Sequence, residues 1–452
     1  MPGTYVKNCL INKHFKPNQM NQANPPKLKS TKPSFTGYEV FVIAILAFLQ
    51  FTVILDFMVM SPLGAILMPQ LKISPSQFGW AVSAYAFSAG TSGLLAAGFA
   101  DKFDRKKLLI FFYTGFLIGT ALCAMATSYH LLLAARIVTG LFGGVIGAVG
   151  MAIITDLFSI ERRGRVMGFV QMAFGVSQVL GLPIGLVLAN HFGWHSPFWM
   201  IAGVGLIPGI IILLYMKPVT AHLKLQHDRN PFEHLVKTVS HSPYLLAFVT
   251  TTLLATGGFM LMPFGSAYSI NNLGITQADL PVLYGVSGVF SFIFGPLTGF
   301  LSDKVGKYKV FVAGTIITMI MVAIYTNLGV TPLTTIIVIN VLMFAGIMAR
   351  MISSTALISA IPQPQDRGAF MSINSSVQQY SGGLAAALAG MVIAEGPGGK
   401  LLHYSTLGII VMVSMTACAI MMYFINQQFI KKLAKTNAPK PAQVPVEAFV
   451  IE

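Results

Sequence analysis

Twelve long apolar runs constrain this chain more than any other feature of its sequence. Each is long enough to cross a hydrocarbon core of about 30 Å as a helix, which takes around twenty residues. Backbone groups cannot stay unpaired in lipid, and the runs are far longer than the strands of a membrane barrel. The sequence therefore predicts an all-α membrane protein with twelve transmembrane helices. The runs lie approximately at 41–69, 77–100, 108–127, 131–157, 166–190, 197–216, 244–270, 281–301, 309–328, 332–361, 369–393 and 404–428.

The composition argues against a soluble enzyme. Only 10% of the residues are charged, which is too little polar surface to cover a globule of this length. Cys9, Cys123 and Cys418 show no metal-binding spacing and no paired framework, which favours reduced structural thiols. The chain has no nucleotide-binding loop, zinc motif or nucleophile motif in a suitable context. We therefore expect no enzyme activity, no cofactor and no metal site.

A charged segment occurs twice. The order of residues in Ala97–Lys107 (small, apolar, Asp, basic) returns in Gly299–Lys309, about two hundred residues later, and the dipeptides Arg163-Gly164 and Arg367-Gly368 have nearly the same offset. A repeat of this length predicts two pseudo-symmetric six-helix bundles. We expect a tail at 1–39, bundles at 40–216 and 244–428, a linker at 217–243 and a tail at 429–452. The linker histidines have no regular spacing, which favours a solvated loop over a metal site: His222, His227, His234 and His241.

Basic residues predict the orientation of the chain. Of its 29 lysines and arginines, all but four lie in the tails, the linker and the loops on one side of the membrane. Lys72 and Lys400 lie on the other side, and Arg136 and Arg350 lie inside apolar runs. This asymmetry predicts that both termini and the linker are cytoplasmic. Anionic lipid head groups account for the net charge of +15, so we expect membrane lipids and no nucleic acid as partners.

Asp56 is the only one of the 14 acidic residues that lies deep inside an apolar run. A carboxylate in the membrane is costly unless it is paired or faces water, so a functional role is the first hypothesis. Counted at 1.5 Å per residue, Asp56 and Arg136 lie at a similar depth, about 22 Å from the face that carries the termini. Three roles remain open for Asp56: a proton carrier, one half of a permanent ion pair, or a contact to the substrate.

Other polar groups inside the runs are candidates to line a substrate cavity, although such a group more often makes a hydrogen bond between helices. They are Gln50, Tyr85, Gln171, Gln178, Arg350, Asn374 and Gln378. At the repeat offset, Asn340 corresponds to Arg136, so the two halves differ in charge. Gly140 and Gly144 lie on one helical face, which predicts close packing of helices.

Charged groups at the ends of the runs are candidates for gating. Asp101, Arg105, Asp156 and Asp303 lie near the membrane face that carries the termini. They are suited to hold neighbouring helices together in one conformation and to release them in another. The alternative is that they only retain the topology.

Residues 40–428 resemble the Major Facilitator Superfamily, and within it the twelve-helix drug:proton antiporter and sugar-efflux branch. Ala97–Lys107 matches the signature between the second and third helices of that family. Leu133–Gly144, with Arg136, is similar to a fourth-helix motif that places an arginine in the membrane, and Gly175–Gly185 resembles the fifth-helix antiporter motif. The resemblance implies that the first and fourth helices line one cavity, where Asp56 and Arg136 come into contact.

The resemblance also implies a secondary active transporter that exports a small molecule in exchange for protons by alternating access. A proton-coupled importer of a small metabolite is the alternative, and a membrane receptor that transports nothing is a further one. We expect a monomer in the cell membrane, which in a bacterium is the inner membrane.

The charge asymmetry yields a test of topology. Single cysteines placed in either tail or in the 217–243 linker should react with a membrane-impermeant maleimide in inside-out vesicles and should be protected in intact cells. A cysteine at residue 230 that reacts only from outside the cell would contradict the twelve-helix topology.

Overall fold

The computed structural model describes residues 35–220, 223, 237–363 and 366–437, except for a few side chains within these ranges. The amino-terminal tail up to residue 34, most of the linker and the chain after residue 437 lie outside the described residues. Cys9 and three of the four linker histidines lie there too. Among the side chains left out is that of Asp101, one of the gating candidates.

Fourteen α-helices and one short strand pair make up most of the described chain. The helices are α1 Gly37–Leu71, α2 Pro75–Phe99, α3 Arg105–Met125, α4 Tyr129–Leu157, α5 Ile160–Val176, α6 Leu182–Phe192, α7 Ser196–Tyr215, α8 Ser242–Phe259, α9 Gly265–Asn271, α10 Leu280–Val305, α11 Lys307–Tyr325, α12 Leu333–Ile358, α13 Arg367–Val392 and α14 Tyr404–Asn437. The strands are β1 Ala394–Glu395 and β2 Leu401–Leu402, which pair antiparallel between the last two helices.

These helices form twelve spans. A π-helical turn, Ser177–Gly181, joins α5 to α6, and a 3-10 turn, Met262–Phe264, lies between α8 and α9, so each pair makes one interrupted span. Ten spans of the described chain are long and apolar enough to cross a membrane. The other two, α2 and α13, are more polar but have 25 and 26 residues, so they are also long enough to cross.

Local sequence explains where the spans begin and end. Ser74 and Gln77 form a capping box at the start of α2, and Pro75 occupies its first turn, where a missing N–H does no harm. The Asp104 side chain accepts a hydrogen bond from the Lys106 amide and caps α3. Gly306 has a φ of 108°, a left-handed conformation that lets the chain turn at once from α10 into α11.

The observed helix ends agree with the predicted runs to within four residues, except at the start of the fifth span, which begins at Ile160 instead of residue 166, and at the end of the last helix. The last helix continues to Asn437, beyond the predicted limit at residue 428. The segment that continues it is polar and carries Lys431 and Lys432. The part of a helix that extends beyond the hydrocarbon core does not need apolar residues. A count of apolar runs therefore cannot detect it.

The two halves pack closely at one end of the molecule. We call the end where α1 begins the terminal end, and the other the opposite end. Near the opposite end, a Cβ on Gly79 would lie 2.7 Å from the carbonyl oxygen of Ala386, and the Ser83 hydroxyl donates to the Gly383 carbonyl at 2.6 Å. The rings of Phe78 and Phe264 also meet there, at 5.8 Å between centroids. The opposite end is therefore closed.

The described residues from Phe41 onward form one compact unit. One hydrophobic cluster runs through both halves of this unit and includes the fully buried Leu63, Phe78 and Phe264. Because most of the 217–243 linker lies outside the described residues, the boundaries given above for the two bundles stay a prediction.

Candidate functional site

A fully buried ion pair lies in the first half of the chain. Nη1 of Arg136 on α4 is 2.7 Å from Oδ2 of Asp56 on α1, and neither side chain has any exposed surface. The Thr120 hydroxyl on α3 donates to Oδ1 of Asp56 at 3.2 Å. The guanidinium of Arg136 lies over the ring of Tyr85 on α2, 4.6 Å from its centroid. The structure thus joins the two residues that were placed at one depth, and four helices contribute to the site.

Small residues on α4 allow this convergence. A Cβ on Gly140 would overlap the Ser88 hydroxyl and the Tyr85 carbonyl, and a Cβ on Gly144 would overlap the backbone of Ala89. The absence of side chains at both positions lets α2 lie directly against α4. This contact brings the Tyr85 ring to Arg136, as the predicted close packing requires.

The hydrogen bonds of the ion pair are only partly satisfied. Nε and Nη2 of Arg136 are buried and have no hydrogen-bond partner among the described residues. The carboxylate of Asp56 is held by one guanidinium N–H and one hydroxyl. Buried ion pairs are most stable when their remaining donors and acceptors are also satisfied. The arrangement is therefore less tightly held than a fully bonded structural ion pair.

A cavity of about 190 Å³ lies between α1, α4 and α5, in the half of the molecule toward the terminal end. Gln50 and Gln171 both line it, so the structure brings together two of the predicted cavity residues. Gln50 precedes Asp56 by six residues, which places it about 9 Å along α1 from the ion pair. The remaining lining is mostly apolar: Leu46, Leu49, Ile146, Gly147, Gly150, Met151 and Val170.

Gln178 lies in a second, much smaller cavity of about 30 Å³ between the two halves. This residue is part of the π-helical turn and is buried, and its Oε1 has no hydrogen-bond partner among the described residues. Tyr284 and Ser287 of α10 line the same cavity. The volume suits about one water molecule, so this conformation has no room for a substrate at Gln178.

The other predicted cavity residues lie elsewhere. Tyr85 belongs to the ion-pair site. Asn374 accepts a hydrogen bond from Thr251 at 2.7 Å, which is the helix-to-helix role that had remained open. Gln378 is exposed on α13, and Arg350 is buried in the second half, away from both cavities.

The gating candidates differ in their contacts. Nε of Arg105 lies 3.1 Å from Oδ2 of Asp156, so this pair links the start of α3 to the end of α4. Nη1 of Arg105 also donates to the Ala100 carbonyl at the end of α2. Asp303 instead pairs with Lys307, four residues later, and its side chain is 76% exposed. The repeated segments therefore make different contacts in the two halves.

Thr120 is a site residue that the sequence analysis missed. A threonine in an apolar helix is common and carries no signal by itself. Its depth would have been informative, because it lies fifteen residues after the start of α3, about 22 Å from the terminal end and therefore level with Asp56.

The ion pair yields a stability prediction. Arg136→Gln leaves the Asp56 carboxylate buried without a cation, and we expect it to lower the stability of the detergent-purified protein by about 3–5 kcal/mol. Thr120→Val removes only one hydroxyl contact and should lower it by about 1 kcal/mol. Thermal melting of the purified variants measures both effects. An Arg136→Gln protein with the same melting temperature as the wild type would show that the ion pair does not hold α1 to α4.

The amino-acid sequence of this chain is similar to those of known membrane transporters. The family model described as Major Facilitator Superfamily matches residues 46–290 and 247–448. The uncharacterized MFS-type transporter YceJ of Bacillus subtilis is 27% identical over 285 residues, which are 63% of this chain and 71% of that protein. Multidrug resistance protein 3 of the same organism is 30% identical over 152 residues, 34% of this chain and 30% of that protein.

A solved structure shares the fold. The bacterial homolog of the human lysosomal transporter Spinster, in an inward-facing and unoccupied conformation, superposes with a TM-score of 0.66 at 16% identity and covers 88% of this chain and 99% of that one. The predicted fold of twelve helices in two pseudo-symmetric bundles is thereby confirmed. Because the family model matches both halves of the chain, this protein belongs to the Major Facilitator Superfamily and is a multi-pass membrane transporter.

Proposed function

We propose that this transporter exports a small molecule in exchange for protons and that Asp56 carries the proton. The observation that carries this proposal is the buried Asp56–Arg136 pair. A carboxylate without exposed surface changes its charge only if its surroundings change, and a membrane transporter that alternates between two conformations supplies such a change.

The contacts of the pair favour a carrier over a permanent ion pair. Asp56 loses its positive partner if α1 and α4 move apart, and only the Thr120 hydroxyl then remains. A carboxylate without its cation in low dielectric favours the protonated form. Renewed contact with Arg136 favours release of the proton. Separation and contact in the two access states would therefore alternate proton uptake and release.

The closed opposite end and the position of the cavity support alternating access. Helices α2 and α13 pack closely near the opposite end, whereas the cavity lined by Gln50 and Gln171 lies toward the terminal end. With cytoplasmic termini in the cell membrane, as the basic residues predict, this cavity would take up its cargo from the cytoplasm. Loading from that side fits export, and the partial match to a multidrug resistance protein supports the same direction. The proposed transporter acts as a monomer.

The decisive variant is Asp56→Asn, which keeps the size of the side chain but cannot exchange a proton. We expect it to reduce substrate-driven proton flux in proteoliposomes to background and to abolish transport against a gradient, while substrate binding survives. Its binding should also lose pH dependence, because the titrating group is gone.

The flux control is Thr120→Val, which keeps the carboxylate and should retain coupling. An Asp56→Asn protein that moves protons with normal coupling would remove Asp56 as the carrier and leave the structural ion pair. The direction of transport is measured in inside-out vesicles. Accumulation of the substrate inside these vesicles indicates export from the cell, and loss of preloaded substrate from them indicates import.

A second variant tests gating at the terminal end. Asp156→Asn weakens the contact that links α3 to α4, so we expect turnover to fall several-fold while substrate affinity stays near the wild-type value. Asp303→Asn is the matched control, because it removes the same charge from an exposed pair within one segment and should change turnover little. Equal losses of binding and turnover in Asp156→Asn would contradict a gating role.

A further inference from the structure

Arg350 is a buried cation that has no counter-charge among the residues the structure describes. It lies on α12 with 3% of its surface exposed, and its Nε and Nη2 have no hydrogen-bond partner among the described residues. The polar group that interacts with it is the thiol of Cys418, a weak and neutral partner. Its guanidinium carbon lies 6.0 Å from the ring centroid of Phe311. These neighbours leave its positive charge unbalanced in this part of the structure.

The comparison with Arg136 makes the imbalance clear. Both arginines are buried inside spans, but Arg136 has Asp56 at 2.7 Å, whereas the ion pairs of the described residues include none with Arg350. An unpaired cation inside the membrane raises the free energy of the folded protein and is normally found where a partner or a ligand meets it.

Ser353 adds a second unsatisfied group next to Arg350. It lies three residues further along α12, so both side chains belong to one face of the helix. Ser353 is fully buried, and its hydroxyl has no hydrogen-bond partner among the described residues. Serines inside helices usually donate to a backbone carbonyl of the preceding turn, as Ser354 does here with Met351. Two guanidinium nitrogens and a hydroxyl thus remain available for an acceptor.

An interrupted helix adjoins this face. A Cβ on Gly257 of α8 would lie 3.6 Å from Nη2 of Arg350 and 3.3 Å from Cγ of Met415. Helix α8 ends two residues later at Phe259, and the chain continues through the 3-10 turn before α9. Gly258, which follows Gly257 in α8, is exposed and borders open space. Transporters commonly bind their substrates at such discontinuous helices.

We propose that Arg350 and Ser353 bind the negatively charged group of an organic anion and that this anion is the transported substrate. A carboxylate is the simplest such group, because a guanidinium and a hydroxyl both donate hydrogen bonds to its oxygens. Phe311 and Met415 are buried beside Arg350 in this conformation, and they would contact an apolar body once this face of α12 opens during transport. This assignment of a substrate class rests on the proposed transport function but not on its coupling to protons.

The first experiment needs no ligand. In the purified full-length protein, Arg350→Gln removes an uncompensated charge, so we expect the melting temperature to rise by about 1–2 °C. Arg136→Gln is the matched control, because it removes an equally buried arginine whose charge is balanced, and it should lower the melting temperature. A fall with Arg350→Gln similar to that with Arg136→Gln would overturn the proposal, since Arg350 would then have a structural partner.

The second experiment uses defined probes. Benzoate, naphthalene-2-carboxylate and indole-3-acetate should each raise the melting temperature of the wild type more than the corresponding uncharged amide does. Arg350→Gln should abolish this difference. Arg350→Lys keeps the positive charge but loses the planar pair of guanidinium donors. We expect it to reduce the difference between the acid and amide shifts by more than half. Equal shifts for acids and amides, or a difference that persists in Arg350→Gln, would overturn the proposal.

Inorganic anions test whether the site binds an organic carboxylate or a small inorganic anion. Chloride and phosphate at the same concentration and ionic strength should give smaller shifts than the three carboxylates, because they have no apolar body. A shift with chloride or phosphate as large as that with the carboxylates would assign the site to an inorganic anion and overturn the organic substrate.

Two glycines test the position of the site. Gly257→Ala places a methyl group against Arg350 and should reduce the difference between acid and amide, whereas Gly258→Ala places the same group in open space and should leave it unchanged. Equal effects of the two variants would contradict binding at Arg350. Asp56→Asn should keep the carboxylate-dependent shift, so a failure of proton coupling and a failure of anion binding can be told apart.

Discussion

The free energy of a charge inside the membrane governs most of this structure. Asp56 and Arg136 are both fully buried, and neither charge would be stable there without the other. Their contact requires that α1 and α4 lie together at one depth, and Thr120 and Tyr85 bring α3 and α2 to the same point. Four of the six spans in the first half are thus positioned by one electrostatic requirement.

Backbone proximity is the second requirement, because little hydrophobic force drives helices together in lipid. The glycines of α4 remove the side chains that would separate it from α2, and Gly79 does the same between α2 and α13. Helix α2 therefore contacts the ion-pair site on one side and the second half of the molecule on another. A movement of α13 at the opposite end would reach Tyr85, and through it Arg136, along a single helix.

The sequence predicted the spans well because most of them are strongly apolar over about twenty residues, whatever their neighbours. It also predicted that Asp56 and Arg136 lie at one depth, because depth along a helix follows from residue count alone, whereas their contact was implied only by the family resemblance. The π-helical turn and the interruption after Phe259 were not predictable, since both depend on how neighbouring helices satisfy the freed backbone groups. The pairing of Asp303 with Lys307 was missed because the repeated segments share residue types but not their neighbours.

The two halves share one architecture but differ in the charged residues that they bury. At the repeat offset, Arg136 corresponds to Asn340, whose side-chain amide donates to the Ile336 carbonyl of its own helix and needs no counter-charge. The second half carries its buried cation ten residues further along α12, at Arg350, where no carboxylate of the described residues meets it. An internally balanced pair can exchange a proton without any ligand, whereas an unbalanced cation is neutralised only by something that binds. If Asp56 carries the proton and Arg350 binds the anion, as proposed, the duplicated fold separates the two groups, and the helix contacts between the halves would couple them.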